Sequence, residues 1–418
     1  MELIKAYRNI NIFTKVLAGF IVGIAIGLVF GPQAAALEFL GTIMIRLISM
    51  IVVPLVLCML VVAVADVGAK SLGKVGVLTT GMFILSTPIA IAIGIAFAYI
   101  FNVGAGFPLP DDLAEATAAN APRMIDTLVN FIPNNIFAAL TSANLMQIMF
   151  FAIITGIAIT KLENKEQAQN LIDIFRTFGD AMQKVLGFIM GFTPFGVMGI
   201  IAWMVGTHGL AVLVPFAGYV AALYVAAIVY VVGVQIFALA KVVGKVDIGV
   251  FLRASKEAML FVFATSSSFA TLPLAIMASK KIGVSDRVTN FVIPYGTVIN
   301  MDGTAIYLAI SVVFIARMYG IELGVADMLM IVISATLASI GTVGVPGTGV
   351  VMLNVVLLSL NLPVEAVALI LGFDRLISPM RATPNVVGDL AVAAVVARVT
   401  GEMGEPDPSV VRNKPATA

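Results

Sequence analysis

A row of polar and charged residues inside a long apolar segment near the C-terminus most constrains how this chain can fold. Residues 363–398 are otherwise apolar and long enough to cross a membrane. At about 100° per residue, one narrow arc of such a helix carries five polar side chains: Asp374, Ser378, Arg381, Asn385 and Asp389. Each Arg or Asp at the centre of a spanning helix costs about 2.5 to 3.5 kcal/mol, so the stripe is expected to face protein, water or a ligand.

An internal ion pair is the simpler alternative for this stripe. Asp374 could pair with a neighbouring arginine and only hold helices together. A single structural pair would not require Ser378, Asn385 and Asp389 on the same face. We therefore interpret the whole stripe as a candidate functional site.

Composition places the chain in the membrane. Of 418 residues, 61% are apolar and only 11% are charged, which predicts an all-α polytopic membrane protein without a sizeable soluble domain. Eight transmembrane helices are expected, the fourth interrupted by Pro133 and polar residues: 10–31, 38–66, 76–103, 127–161, 177–206, 208–240, 286–318 and 363–398. The first apolar run has no small-residue cleavage site after it, so we expect it to stay as a helix.

Positive charge is distributed unevenly between the loops. The net charge of +1 carries no information about a nucleic-acid or acidic-protein partner, and we expect no nucleic-acid partner for a membrane protein of this kind. Lysines and arginines recur at loops that can share one side, which by the positive-inside rule is cytoplasmic and includes both termini. Loop 104–126 then lies outside. These features predict a multi-pass protein of the plasma membrane.

Cysteine and histidine are too rare for catalysis built on these two residue types. Cys58 is the only cysteine and His208 the only histidine, which excludes an internal disulfide and a cysteine metal site. The serines at 266–268 could act as nucleophiles only with a nearby base, and the chain offers no histidine or lysine close to them in sequence. We expect a protein that is not an enzyme.

Two segments are too short in each apolar half to span a membrane. Residues 249–281 break at the hydroxyl-rich stretch 265–271, and residues 326–362 break at the glycine-rich stretch 339–349. We interpret both as re-entrant helical hairpins, because irregular backbone at membrane depth must be buried or line a cavity. Such paired interruptions are typical of inverted repeats that meet at a binding site.

The span at 286–318 contains a break of its own. Asp302 beside Gly303 suggests that this helix unwinds at its centre, where carbonyl groups and a carboxylate could bind a hard cation. The alternative is that Arg375 or Arg381 neutralises Asp302.

The motifs together resemble the glutamate/dicarboxylate:cation symporter family, and the layout of spans matches over essentially the whole chain. The matching motifs are Thr265–Ser268, Asn300–Thr304, Ser339–Gly347 and the final pattern Asp374, Arg381, Asn385. This resemblance implies a glutamate-transporter-like fold in a homotrimer. It also implies a scaffold (1–75 and 105–207), a transport domain that moves as an elevator (76–104 and 208–400) and a cytoplasmic tail (401–418).

The resemblance also implies the binding residues. A substrate carboxylate would be gripped by Arg381, within a set that comprises Ser266, Ser267, Ser268, Thr304, Gly344, Val345, Gly349, Arg375, Ser378, Arg381, Ala382 and Asn385. One sodium site would use Gly296, Asn300, Asn385 and Asp389. A second would use Asp302, Asn300, Ser86 and Thr87, and a third the carbonyls of Val298, Ser339, Ile340 and Thr342. Some relatives have a tyrosine near the second site, where this chain has Phe83.

Two departures from the family pattern concern the substrate. Members that transport amino acids carry an aspartate at the position of Ser378 and usually a threonine at that of Ala382. Without that aspartate, a buried substrate ammonium would lack its anionic partner. The site instead looks like that of the C4-dicarboxylate carriers, with succinate, fumarate or malate as substrate.

The coupling ion and the class of transport leave alternatives open. Sodium is favoured as the coupling ion because Asp302 and Asp389 are both present, although some dicarboxylate carriers use protons. A sodium-coupled transporter of aspartate or glutamate and an anion channel are further alternatives. Two gated hairpin tips favour a carrier over an open pore.

Overall fold

The computed structural model describes residues 12–69, 73–105, 132–340, 348–364 and 366–411. Within these residues every regular element is helical, and one isolated bridge joins Val284 to Met403, so the prediction of an all-α chain is confirmed. The α-helices, numbered in chain order, are α1 (Ile12–Phe30), α2 (Glu38–Ala69), α3 (Gly73–Ile100), α4 (Ile136–Thr141), α5 (Leu145–Thr160), α6 (Lys165–His208), α7 (Val214–Val229), α8 (Ile248–Thr265), α9 (Ser268–Ile282), α10 (Asp286–Ile299), α11 (Asp302–Met318), α12 (Val325–Ile340), α13 (Thr348–Ser359) and α14 (Val367–Thr400).

Several helices are long and apolar enough to cross a membrane. Among the described residues there are 5 such segments, or 6 if a bent pair within α6 is one span. The expected total of eight spans therefore stays a prediction. The fourth predicted span is interrupted by polar caps, Asn135 at α4 and Asn144 at α5, and Pro133 lies before both helices.

The helices pack in two groups. Helices α1 and α2 pack mainly against α6, and α5 packs mainly against α2, while α3 and α7 to α14 surround the predicted site. Helix α11 has every side chain buried except that of Arg317, because α3, α7, α12, α13 and α14 all pack against it. An apolar helix buried on all sides occupies the centre of a fold.

Both predicted hairpins are pairs of helices that pack against each other. In the first pair, α8 ends at Thr265, and the next residue, Ser266, has a left-handed backbone with φ of 54°. Ser267 then caps α9 by accepting a hydrogen bond from the backbone N–H of Ala270 over 3.2 Å. The hydroxyl-rich sequence thus breaks one helix and starts the next. Residues 341–347, between α12 and α13, lie outside the described part.

The break predicted beside Gly303 lies just before it. The backbone N–H of Asn300 donates to the carbonyl of Gly296 and closes α10, and α11 begins at Asp302. Only Asn300 and Met301 separate the two helices. This interruption places the Asp302 carboxylate in the first turn of a helix, where the helix dipole favours negative charge.

Helix α7 continues as a π-helix over Tyr230–Val243. Its end is marked by a hydrogen bond between residues five apart, from Gly244 N–H to the carbonyl of Leu239 over 2.8 Å. The sequence predicted an ordinary span there. The π-helix could not be predicted, because a segment that is apolar on all sides has no periodic pattern from which its helical period can be read.

The residues after α14 pack against the base of the first hairpin. Backbone N–H groups of Gly404 and Asp407 donate to the carbonyls of Gly283 and Lys281 over 2.7 and 3.0 Å. The Arg253 side chain donates to the carbonyl of Val410 over 2.6 Å. This C-terminal segment, 401–411, is therefore a built part of the fold.

Candidate functional site

The predicted stripe lies on one continuous helix and is buried. Helix α14 runs through Pro379 and Pro384 without interruption, and its stripe side chains are at most 5% exposed: Asp374, Ser378, Arg381, Asn385 and Asp389. They face α10, α11 and the π-helix, which pack against α14. The angular arrangement expected from the sequence is confirmed.

The N-terminal half of the stripe is a hydrogen-bonded network around Arg381. The guanidinium Nη1 lies 3.3 Å from Asp374 Oδ1, and Nη2 lies 3.4 Å from the Ser378 hydroxyl. That hydroxyl donates to Asp374 Oδ2 over 3.1 Å. The ion pair weighed from the sequence is present, and Ser378 bridges it. An arginine has five N–H donors, so Arg381 can hold Asp374 and still bind another carboxylate.

Arg381 is approached closely from two other helices. The Tyr307 ring on α11 lies 5.3 Å from the guanidinium carbon, within range of a cation–π interaction. Gly349, at the start of α13, is so close that a Cβ there would collide with the guanidinium. Only glycine permits this approach. The second hairpin and the stripe thus meet at Arg381.

Asp389 lies in a pocket with more acceptors than donors. The Asn300 amide donates to Asp389 Oδ1 over 2.9 Å and to the carbonyl of Asn385 over 3.1 Å. Asp389 Oδ2 and Asn300 Oδ1 are buried and have no hydrogen-bond partner among the described residues. A Cβ on Gly296 would collide with Asp389 Oδ1, so the α10 backbone also faces this carboxylate. Unpartnered buried oxygens of this kind suit a hard cation.

Asp302 lies in a second pocket lined by hydroxyl groups. Its Oδ1 is 3.1 Å from the Ser86 hydroxyl and 2.9 Å from that of Thr87, and both hydroxyls also lie within 3.1 Å of the Phe83 carbonyl. Two hydroxyl protons cannot satisfy four such contacts, so this oxygen cluster is also rich in acceptors. Tyr230 donates to Oδ2 over 2.5 Å. Hydroxyl groups, and not Arg381, therefore surround Asp302.

Asn385 stabilises the break between α10 and α11. Its Oδ1 accepts a hydrogen bond from Gly303 N–H over 2.8 Å, and its Nδ2 lies 3.1 Å from the Met301 sulfur. Its side chain is therefore engaged with the broken helix. Its carbonyl is the part that reaches the Asp389 pocket.

The remaining predicted residues lie at several places. Thr304, in the first turn of α11, and Ala382, on α14, are buried. The Ser268 hydroxyl is buried without a partner among the described residues. Ser339 is buried with its hydroxyl bonded to the carbonyl of Thr336, and Val298 is half-buried on α10. The following lie outside what the structure describes: Thr342, Gly344, Val345 and the side chains of Ile340 and Arg375.

Sequence reasoning missed two polar residues of the π-helix. Tyr230 contacts Asp302, and Gln235 donates to the carbonyl of Pro384 over 2.7 Å. Both side chains are fully buried. Gln235 is the only amide in the apolar run 208–240, and that isolation was the available signal.

Comparison with known proteins finds relatives that match over most of the chain. A sequence profile described as the sodium:dicarboxylate symporter family matches residues 12–399. A proton/sodium-glutamate symport protein of Bacillus caldotenax is 33% identical over 410 residues, covering 95% of this chain and 96% of the relative. A proton/glutamate-aspartate symporter of Escherichia coli (strain K12) is 32% identical over 86% of this chain and 84% of its own length. A C4-dicarboxylate transport protein of Bacillus subtilis (strain 168) is 30% identical, with 96% of each chain covered.

Proposed function

Because the chain belongs to the sodium:dicarboxylate symporter family, we propose that it imports a C4-dicarboxylate, such as succinate, fumarate or malate, together with sodium. Substrate and cation would cross the membrane in one cycle of alternating access. The relatives named as glutamate symporters make an acidic amino acid the second candidate substrate.

The surroundings of Arg381 carry the choice of substrate. Its guanidinium would bind one substrate carboxylate in a bidentate manner, which suits arginine better than lysine. An amino-acid substrate would also need an anion for its ammonium group. Ser378 and Ala382, which are near Arg381, are both neutral. The Asp374 carboxylate already accepts hydrogen bonds from Arg381 and Ser378. Burying an ammonium without a free carboxylate costs several kcal/mol, so a substrate without an amine fits better.

The two aspartate pockets support cation coupling. Asp389 Oδ2 and Asn300 Oδ1 lack partners among the described residues, and the oxygens around Asp302 outnumber their protons. Oxygen ligands without sulfur or imidazole suit a hard ion. We propose one sodium ion at each pocket. Coupling to protons is the alternative, since two relatives are named as proton symporters.

The same proposal assigns the helices to a transport domain that moves and a scaffold that does not. Helices α3 and α7 to α14 would form a transport domain that carries the site across the membrane, and α1, α2, α5 and α6 a scaffold. Each group makes most of its helix contacts within itself, which supports this division. The two hairpins would be re-entrant and the second would gate the site, within a homotrimer of the plasma membrane with cytoplasmic termini.

Uptake into proteoliposomes tests substrate and ion together. Labelled succinate would be supplied with an inward sodium gradient, an inward proton gradient or neither, in the presence of unlabelled fumarate, aspartate or glutamate. We expect sodium-driven uptake that fumarate blocks and glutamate does not. Stronger competition by aspartate than by fumarate would contradict the substrate, and uptake driven only by protons would contradict the ion.

A single substitution tests the role of Ser378. Ser378→Asp adds a carboxylate that can pair with a substrate ammonium, so aspartate should become a competitor. The same carboxylate repels a dicarboxylate, so we expect succinate affinity to fall by about a hundredfold, where each 1.4 kcal/mol is about tenfold. Equilibrium binding of both ligands measures this. Ser142→Asp, which adds the same charge at an exposed position after α4, is the control. An unchanged ratio of succinate to aspartate affinity would contradict the assignment.

A further inference from the structure

Tyr230 contacts the Asp302 carboxylate from a helix that carries none of the family motifs. Its hydroxyl lies 2.5 Å from Asp302 Oδ2, and its next acceptor, the carbonyl of Ser86, is 3.4 Å away. A phenol has one proton to donate, and the shorter contact to a charged acceptor is the stronger bond. The proton therefore compensates charge on Oδ2, the oxygen that Ser86 and Thr87 do not reach.

The π-helix holds Tyr230 in this position. Its hydrogen bonds join residues five apart, so side chains five positions apart lie close to one face, as they do not in an α-helix. Gln235 is five residues after Tyr230, and its amide donates to the carbonyl of Pro384 and lies against Gly388 of α14. Two buried polar contacts therefore fix this face of the π-helix, one against Asp302 and one against the backbone of α14.

In each net cycle, a symporter has to return its binding site to the other side of the membrane without substrate or cation. This step, which rests on the proposed function, leaves each cation-binding carboxylate buried without its cation. An uncompensated buried charge is costly. At Asp302 three hydroxyl groups offer compensation, and only that of Tyr230 is aimed at Oδ2.

We infer that Tyr230 is a positioning residue that stabilises the Asp302 carboxylate when no cation is bound, and so sets the rate at which the empty transporter returns. It would not contact the substrate. Exchange of external for internal substrate bypasses the empty return. Loss of the Tyr230 hydroxyl should therefore slow net uptake and leave exchange largely unchanged.

The test compares net uptake with exchange in Tyr230→Phe, which keeps the ring and removes the hydroxyl. Proteoliposomes with sodium on both sides and internal unlabelled succinate report exchange, and empty proteoliposomes with an inward sodium gradient report net uptake. Loss of one hydrogen bond to a charged group corresponds to about a tenfold change in rate, so the rate of net uptake should fall about tenfold. The rate of exchange, which bypasses the empty return, should stay within about twofold.

Two matched variants complete the design. Tyr224→Phe removes a hydroxyl of α7 that donates to the carbonyl of Leu376, and it should leave the ratio of net uptake to exchange unchanged. In an Asp302→Asn background, Tyr230→Phe should add no further change to that ratio. Equal slowing of both fluxes in Tyr230→Phe, or no change in either, would overturn the inference while sodium-driven uptake by the unmodified protein stands. Absence of that uptake would overturn the proposed function, and this inference with it.

Discussion

Asp302 and Asp389 lie on neighbouring helices of one buried region, yet their oxygens have different partners. Both oxygens of Asp302 lie within hydrogen-bond distance of hydroxyl groups. Asp389 has the Asn300 amide at Oδ1 and no partner among the described residues at Oδ2. A buried carboxylate oxygen without a donor is costly, so Asp389 depends more on an external cation than Asp302 does. Two aspartates that look alike in the sequence should therefore contribute unequally to coupling.

Asp389→Asn should have the largest effect on sodium coupling. The substitution removes the negative charge whose Oδ2 has no partner among the described residues. The Asn300 amide would then donate to a neutral side chain. We expect the sodium concentration for half-maximal uptake to rise by about a hundredfold, consistent with the cost of losing a buried ionic contact. Succinate uptake measured against sodium concentration tests this. Asp327→Asn, at the exposed start of α12, is the control. Unchanged sodium dependence would remove Asp389 from the site.

Asp302→Asn should have a smaller effect on the same measurement. The new amide oxygen can still accept from Ser86 and Thr87, and Tyr230 can donate to the Ser86 carbonyl while accepting from the amide nitrogen. The polar contacts survive while the charge is lost, so we expect about a tenfold rise in the half-maximal sodium concentration. An effect larger than that of Asp389→Asn would reverse the comparison.

Thr87→Val should have the smallest effect of the three. It removes one of three hydroxyl groups around Asp302 and keeps the shape of the side chain. We expect a rise of about threefold in the half-maximal sodium concentration, as for one hydrogen bond among several. Thr79→Val on the same helix is the matched control, because its hydroxyl is buried and bonds only locally to the Val75 carbonyl. If both variants behaved alike, the hydroxyl groups of α3 would have no special role at Asp302.

The helices and the stripe could be predicted because their signals are local. Apolar runs set the helices, and a spacing of three to four residues placed Asp374 to Asp389 on one buried face. The hydroxyl-rich stretch marked the end of α8, and Asp302 with Gly303 marked the break after α10 within two residues. In each case a break or a polar residue interrupts an otherwise uniform apolar pattern.

The partners of these residues could not be predicted, because they depend on contacts between distant segments. Nothing near Asp302 in the sequence points to Tyr230, 72 positions earlier. The change to π-helical period occurs among apolar side chains and leaves no trace in their spacing. The close approach of Gly349 to Arg381 likewise depends on how the second hairpin packs. Local periodicity identifies the polar residues, and tertiary packing decides which of them meet.

The C-terminal segment has a consequence for how the protein is made. The first hairpin and the cap of α10, Ser285, occupy residues 248–285. Several of their hydrogen-bond partners come from the C-terminal segment: Glu402, Gly404, Asp407 and Val410. A ribosome adds these residues only after the whole of α14 has been synthesised. The base of the hairpin therefore stays open until residues 402–410 have been synthesised, so a stop codon shortly after Thr400 would leave it unfinished.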